Sequence, residues 1–321
     1  MNNLDWHKPH KQRVIFLMGP TASGKTDLAV ELRRHLPVEL INVDSAQIYR
    51  DMDIGTAKPD DQTLRAAPHR LINICDPAQA YSAADFAVDA KREIEDIIAN
   101  GRVPLLVGGS MLYFKVLLDG LSELPAADPE IRDSLQQQAD REGWQSLYAE
   151  LQEVDPVTAK RLHPNHSQRI QRALEVYKIT GIALSELQMT SQGGIKDKFD
   201  VHQFALIPND RKLLHRRIEQ RFTAMINGGF EAEVKKLYQR GDLDPSMPSI
   251  RSVGYRQLWE YLEGQCDLNQ AIEKAVIATR QLSKRQQTWL RSWHSARRID
   301  VDDASGYLRT EVLCKIFLGN L

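Results

Sequence analysis

Five short apolar runs, Val14–Met18, Leu40–Val43, Leu71–Ile74, Val103–Val107 and Phe204–Ile207, each stop at or near Gly, Asp or Pro. Runs of this length without polar alternation read as strands buried on both faces, as in a parallel sheet. Between the early runs the period changes. From Lys25 to Leu36 apolar side chains fall at Leu28, Ala29, Leu32 and Leu36, and Ala84 to Ile98 repeats that helical spacing. Strands alternating with helices predict right-handed βαβ units and a doubly wound parallel sheet of the α/β class.

The pattern shifts after Gly120. Asp128 to Leu187 has little strand character and is rich in Gln, Glu, Arg, Ala and Leu, with Asp128-Pro129, Asp155-Pro156 and His163-Pro164 as helix-start or turn signals. This predicts an all-helical insertion domain, residues 125–200, that ends in the turn-rich Ser191–Asp200 and divides a first core part, 1–124, from a second, 201–321. The second part is mostly helical, with Gly228-Gly229, Gly241 and the loop Pro245–Gly254 as punctuation.

Composition narrows the function classes. With 321 residues, 42% hydrophobic and 26% charged, the chain is an ordinary globular one. Its net charge of −1 provides no overall field for polyanions, so any such affinity must be local. Cys75, Cys266 and Cys314 are far apart, which encodes neither a disulfide framework nor a zinc ribbon. No apolar run approaches the ~18 residues of a membrane span. A cytoplasmic protein without membrane association is expected.

Gly19-Pro20-Thr21-Ala22-Ser23-Gly24-Lys25-Thr26 follows the first strand and opens the first helix, the context in which G-x-x-x-x-G-K-[ST] is a phosphate loop. Its amides and the helix N-terminus supply positive potential, Lys25 neutralises phosphate oxygens and Thr26 is placed to hold Mg²⁺. Most such loops work with an Asp ending a buried strand. Here Val103–Val107 runs into Gly108-Gly109-Ser110 instead, and the strand-end Asp is Asp44, after the second run. Ligands of open α/β sheets sit at the strands' carboxyl ends, so Asp44, Ser110 and the loop are expected to converge, with Asp44 a base beside the phosphate.

Five motifs in one order, Gly19–Thr26, Asp44-Ser-Ala-Gln-Ile-Tyr49, Asp53-Ile-Gly-Thr-Ala-Lys-Pro59, Gly108-Gly-Ser-Met-Leu-Tyr113 and Arg251-Ser-Val-Gly-Tyr-Arg256, resemble those of the bacterial tRNA dimethylallyltransferases, or tRNA isopentenyltransferases. The resemblance runs from about Val14 to about Arg291. It implies transfer of the dimethylallyl group of dimethylallyl diphosphate to N6 of adenosine 37, in tRNAs reading codons that begin with U. The chain departs from the family in having Ser110 where Thr is usual, which keeps the hydroxyl. Eukaryotic relatives carry a zinc-finger tail, and from Asp302–Leu321, with one Cys and no His, no metal site of that type is expected.

The implied chemistry suits these residues. Adenine's amino group is a poor nucleophile until its proton is removed, a task for Asp44. The departing diphosphate gathers negative charge, which Lys25, the loop amides and Mg²⁺ at Thr26 would stabilise. By resemblance, Arg221 adds a further contact to the diphosphate and Ser110 joins the catalytic set. The anticodon stem-loop would be met by Asp44, Ser45, Ala46, Gln47 and Ser110 at the site, and by Arg132 and Gln168-Arg169-Ile170-Gln171-Arg172 in the insertion. Arg251-Ser252-Val253-Gly254-Tyr255-Arg256 would also meet it, with Tyr255 suited to stacking on an extruded base. Gln270 to Arg298 reads as one helix with seven basic residues, Lys274, Arg280, Lys284, Arg285, Arg291, Arg297 and Arg298. At about 100° per residue Ala275, Ala278, Leu282, Trp289 and Trp293 share a packing stripe, and Arg280, Lys284 and Arg291 a second one that faces phosphate. His163 and His166 lack further ligands at metal spacing and are assigned no metal.

Two other readings share the loop: a small-molecule or nucleoside kinase, and a nucleic-acid-binding ATPase. The missing strand-end Asp and the basic helix count against the kinase, and the ATPase would be expected to hydrolyse nucleotide. A monomer is expected.

Overall fold

The structure is a computed structural model that describes residues 11–122, 124–188 and 192–300. The segment Asp302–Leu321, with Cys314, lies outside the described residues. Among the described residues eight strands occur in chain order: β1 Arg13–Met18, β2 Val38–Val43, β3 His69–Arg70, β4 Val103–Gly108, β5 Gly120–Leu121, β6 Gln192–Gly193, β7 Asp200–Ile207 and β8 Arg297–Asp300. Six form one sheet in the order β3-β2-β4-β1-β7-β8, every neighbouring pair parallel.

The apolar runs lack alternation because both faces of this sheet are covered. Val14, Phe16, Met18, Ile41, Val43 and Leu106 pack with the helices Ala83–Ala99 and Met111–Asp119. Ile15, Leu17, Leu40, Leu105 and Val107 pack on the opposite face with the helix Lys25–His35. The helix Ala83–Ala99 starts at a capping box: Ser82 Oγ accepts from the Asp85 amide at 3.2 Å, and the Asp85 carboxylate from the Ser82 amide at 2.8 Å. Register then sets the site. Met18 and Val43 both stand opposite Gly108, so Gly19, Asp44 and Gly109 leave the sheet side by side at its carboxyl edge. A Cβ at Gly108 would lie 1.9 Å from the Val43 carbonyl oxygen, which requires glycine there. A third cluster, around Phe222, Phe230, Tyr255, Leu258 and Trp259, packs the helices that follow β7.

The chain divides into two compact units, Met1–Leu118 with Ile195–Leu321, and Asp119–Gly194. The insertion thus begins and ends before the expected 125 and 200. Ile195 and Phe199 are already buried in the main core, and the Ile195 amide donates to the Leu117 carbonyl at 3.0 Å. The insertion is helical apart from the antiparallel pair β5–β6. Pro129 and Pro156 open helices capped by Asp128 and Asp155, as their dipeptides predict.

Two further expectations are corrected. Leu71–Ile74 is not a strand: pairing stops at Arg70, because Leu71 (φ 62°) and Asn73 (φ 59°) adopt the left-handed region, which no ladder accommodates. The basic helix spans Leu268–Ser292, so Arg297 and Arg298 lie on β8 beside Phe204 and Ala205. Within it Leu290, fully buried, takes the packing position expected of Trp289, which is 37% exposed.

Candidate active site

The phosphate loop curls through left-handed Ala22 (φ 63°) and Gly24 (φ 79°) and is fastened to β4 by the Gly19 amide, 3.3 Å from the Gly108 carbonyl. Among the described residues the amides of Ala22, Gly24, Lys25 and Thr26 make no hydrogen bond within the chain. Ser23 Oγ is buried and likewise has no partner. Buried polar groups are otherwise paired, so a loop with these free donors at a helix N-terminus fits an anion. Lys25 Nζ rests on the Pro20 carbonyl at 3.0 Å. Desolvation lowers its pKa to about 8; the Asp44 charge opposes that shift and Arg221 adds to it.

Lys25, Thr26, Asp44, Gln47 and Arg221 share one cleft of about 150 Å³. Its lining includes the apolar Ile218, Phe222, Met225, Val253 and Leu282. Asp44 is fixed by a local turn, in which its Oδ1 accepts from the amides of Ala46 (2.9 Å) and Gln47 (3.4 Å). Arg221 comes from the helix Arg211–Asn227 and donates to Thr21 Oγ1 (3.1 Å) and the Thr56 carbonyl (3.3 Å). Burial lowers its pKa, and Asp44 counters that. Ser110 does not line the cleft: its Oγ accepts from the Ser45 amide at 3.0 Å, holding the turn after Asp44 instead of facing the cavity.

Gln286 and His69 of the wall belong to none of the sequence expectations, and Thr56 lies in a quoted motif without an assigned role. Gln286 bridges the Thr21 amide (2.8 Å) and the Gly109 carbonyl (3.0 Å). Its signal is a polar residue on the buried stripe of its helix, two turns after Thr279. Thr56 carries the carbonyl under Arg221. His69 pairs Nδ1 with the Ala67 carbonyl at 2.7 Å, and its buried Nε2 has no partner among the described residues. Desolvation lowers its pKa, which favours the neutral ring, and with Nδ1 donating to the carbonyl that ring would present Nε2 as an acceptor.

The residues expected to meet RNA divide. Ser45, Gln168, Arg169, Arg251, Arg256, Lys284, Arg285 and Arg291 are exposed. Ser252 and Val253 line the cleft with Ala46. Ile170 is fully buried, an insertion core residue that cannot touch RNA. Tyr255 is also fully buried, its hydroxyl donating to Glu233, and it lines the cleft with Ser252 and Val253 instead of standing on the surface between the arginines. Gly254, buried with φ 94°, shapes the backbone before Tyr255. Arg132 Nε and Arg172 Nη1 donate to the fully buried Glu175 at 2.8 and 2.7 Å, and the Gln171 amide group to the Arg132 carbonyl at 3.0 Å. Burial raises the Glu175 pKa, but the two guanidiniums bring it below the ordinary value. Arg280 is paired with Glu219.

Among the described residues no group of three or more His, Cys, Asp or Glu could hold a metal ion. The Thr26 hydroxyl at the cleft suits Mg²⁺, which keeps water and phosphate ligands and needs few from protein. No described helix is long and apolar enough to cross a membrane.

The family model described as IPP transferase matches residues 47–293. The tRNA isopentenylpyrophosphate transferase of Bacillus halodurans is 34% identical, with 96% of each chain covered and a TM-score of 0.71. The tRNA Δ2-isopentenylpyrophosphate transferase of Staphylococcus epidermidis is 29% identical, covering 97% of this chain and all of its own, with a TM-score of 0.70. A eukaryotic dimethylallyltransferase acting on tRNA is 27% identical over 96% of this chain and 80% of its own, with a TM-score of 0.80.

Proposed function

The chain belongs to the IPP transferase family, the tRNA prenyltransferases, and on that premise we propose that it moves a dimethylallyl group from dimethylallyl diphosphate to N6 of adenosine 37 in tRNAs reading codons that begin with U. One observation carries the reading: a carboxylate, a phosphate loop and apolar side chains share a single cleft. The apolar lining residues Ile218, Phe222, Met225 and Leu282 suit a five-carbon allylic chain.

In the reaction N6 attacks C1 of the allylic group, the C1–O bond breaks and diphosphate leaves. The N6 proton passes to Asp44. Lys25, the free loop amides and Arg221 hold the diphosphate and the charge that grows on it. Thr26 would hold Mg²⁺, which would supply further stabilisation of the charge on the diphosphate. The adenosine must leave its stacked loop to reach Asp44. A tRNA carrying guanosine at position 37 should accept no prenyl group, while its parent is modified; equal modification of both would refute the assignment of position 37.

The tRNA is held in part by the exposed basic face of the helix Leu268–Ser292. Because Arg280 is engaged by Glu219, the charges on that stripe without an acidic partner among the described residues are Lys284 and Arg291. Changing both to Ala should weaken every tRNA substrate and flatten the log–log salt slope by roughly two units. Filter binding across a salt series measures this, and an unchanged slope in the folded variant would leave the stripe a solvated face.

A further inference from the structure

One carboxylate joins two of the sequence motifs. Glu233, on the helix Phe230–Tyr238, accepts from the successive amides of Asp53 (2.9 Å), Ile54 (2.8 Å) and Gly55 (3.1 Å). The Tyr255 hydroxyl donates to the same carboxylate at 2.5 Å. Consecutive amides converging on an anion make a nest, and charge-assisted bonds are roughly twice as strong as neutral ones. Gly55 lies flat against Phe230, where a Cβ would come within 2.0 Å of ring carbon Cε2. Lys58 secures the far end, its Nζ bonded to the Tyr49 carbonyl (2.8 Å), Asp53 Oδ1 (2.5 Å) and Asn73 Oδ1 (2.5 Å).

The loop held in this way turns its carbonyls towards the cleft. Thr56 O accepts from Arg221 Nη2 at 3.3 Å and from Gln47 Nε2 at 3.2 Å, and Ala57 O accepts from Gln47 Nε2 at 3.2 Å. Among the described residues Arg221 has one other bond, to Thr21 Oγ1. Half of what aims this guanidinium is therefore the loop that Glu233 fixes. We propose that Glu233, seconded by Tyr255, is a positioning residue for prenyl transfer, acting through the Thr56 carbonyl to point Arg221 at the diphosphate. The proposal rests on the reading of the cleft as a diphosphate site. It gives a part in the reaction to an acidic residue outside the cleft wall, tied to it by a tyrosine of that wall.

The test is a double-mutant cycle read by calorimetric binding of inorganic pyrophosphate. Glu233→Gln should weaken binding about 10-fold, and Arg221→Ala at least as much. When Arg221→Ala is already present, adding Glu233→Gln should change nothing further, because the group it positions is gone. Single-turnover transfer should follow the same pattern, with tRNA affinity unchanged. Glu233→Gln binding pyrophosphate within about two-fold of wild type, or losses that simply add, would overturn the proposal. Should Glu233→Gln fail to fold, Tyr255→Phe, which leaves the amide nest intact, decides by the same criterion with an expected loss of about two- to five-fold. Wild-type protein that does not bind pyrophosphate would instead refute the diphosphate reading itself.

Discussion

Asp44→Ala is expected to slow prenyl transfer by at least ~10²-fold while tRNA affinity stays within a few fold, since a base acts in the transition state and not in ground-state binding. The geometry favours this separation. Oδ1 is committed to the amides of Ala46 and Gln47, whereas Oδ2 has no hydrogen-bond partner among the described residues. Asp44→Asn refines the test, because its carbonyl oxygen can keep the turn while the side chain has lost its basicity. It should be comparably slow. Single-turnover kinetics with a filter-binding control distinguish the outcomes; normal chemistry in either variant, or failure only through lost tRNA, would remove Asp44 from the base role.

Lys25→Met should lose transfer by ~10²-fold or more and yet melt at a higher temperature than wild type at pH 7. The two effects share a cause. Burial holds the Lys25 pKa at about 8 against an ordinary 10.5, so the folded protein binds this proton less tightly than the unfolded chain. Below pH 8 the charged ammonium therefore opposes folding, and stability rises as pH increases from about 8 towards 10.5. Methionine removes that opposition, and its advantage should shrink across the same window. In wild type, donor affinity should fall as pH passes about 8 and the ammonium is lost. Thermal melts and donor binding measured against pH check both; an unshifted melting temperature with intact donor binding would mean that Lys25 is neither buried at a cost nor bound to phosphate.

The core was legible because its strands are buried on both faces: Val14–Met18, Leu40–Val43 and Val103–Val107 cannot be amphipathic helices at that length. The phosphate loop was legible because the glycine spacing, strand and helix coincide. What stayed hidden depends on contacts distant in sequence. Leu71–Ile74 has the composition of a strand, and only the backbone turn at Leu71 and Asn73 prevents it. Trp289 and Leu290 are adjacent, and helical spacing alone does not decide which of them packs. Tyr255 between arginines resembled a stacking platform until Glu233, on another helix, took its hydroxyl. Arg132 is engaged by the buried Glu175, 43 residues further on, whereas Arg172 meets the same carboxylate three residues along its own helix, a spacing visible in the sequence. Gln286 and Glu233 act on segments far away in the chain, which no local pattern reports.

Nucleoside mass spectrometry of unmodified tRNA, incubated with the protein, Mg²⁺ and either dimethylallyl diphosphate or ATP, tests the central claim most directly. The account predicts a prenyl mass on adenosine with the allylic donor and no phosphorylated product or tRNA-stimulated phosphate release with ATP. Unmodified adenosine alongside robust ATP turnover would contradict it.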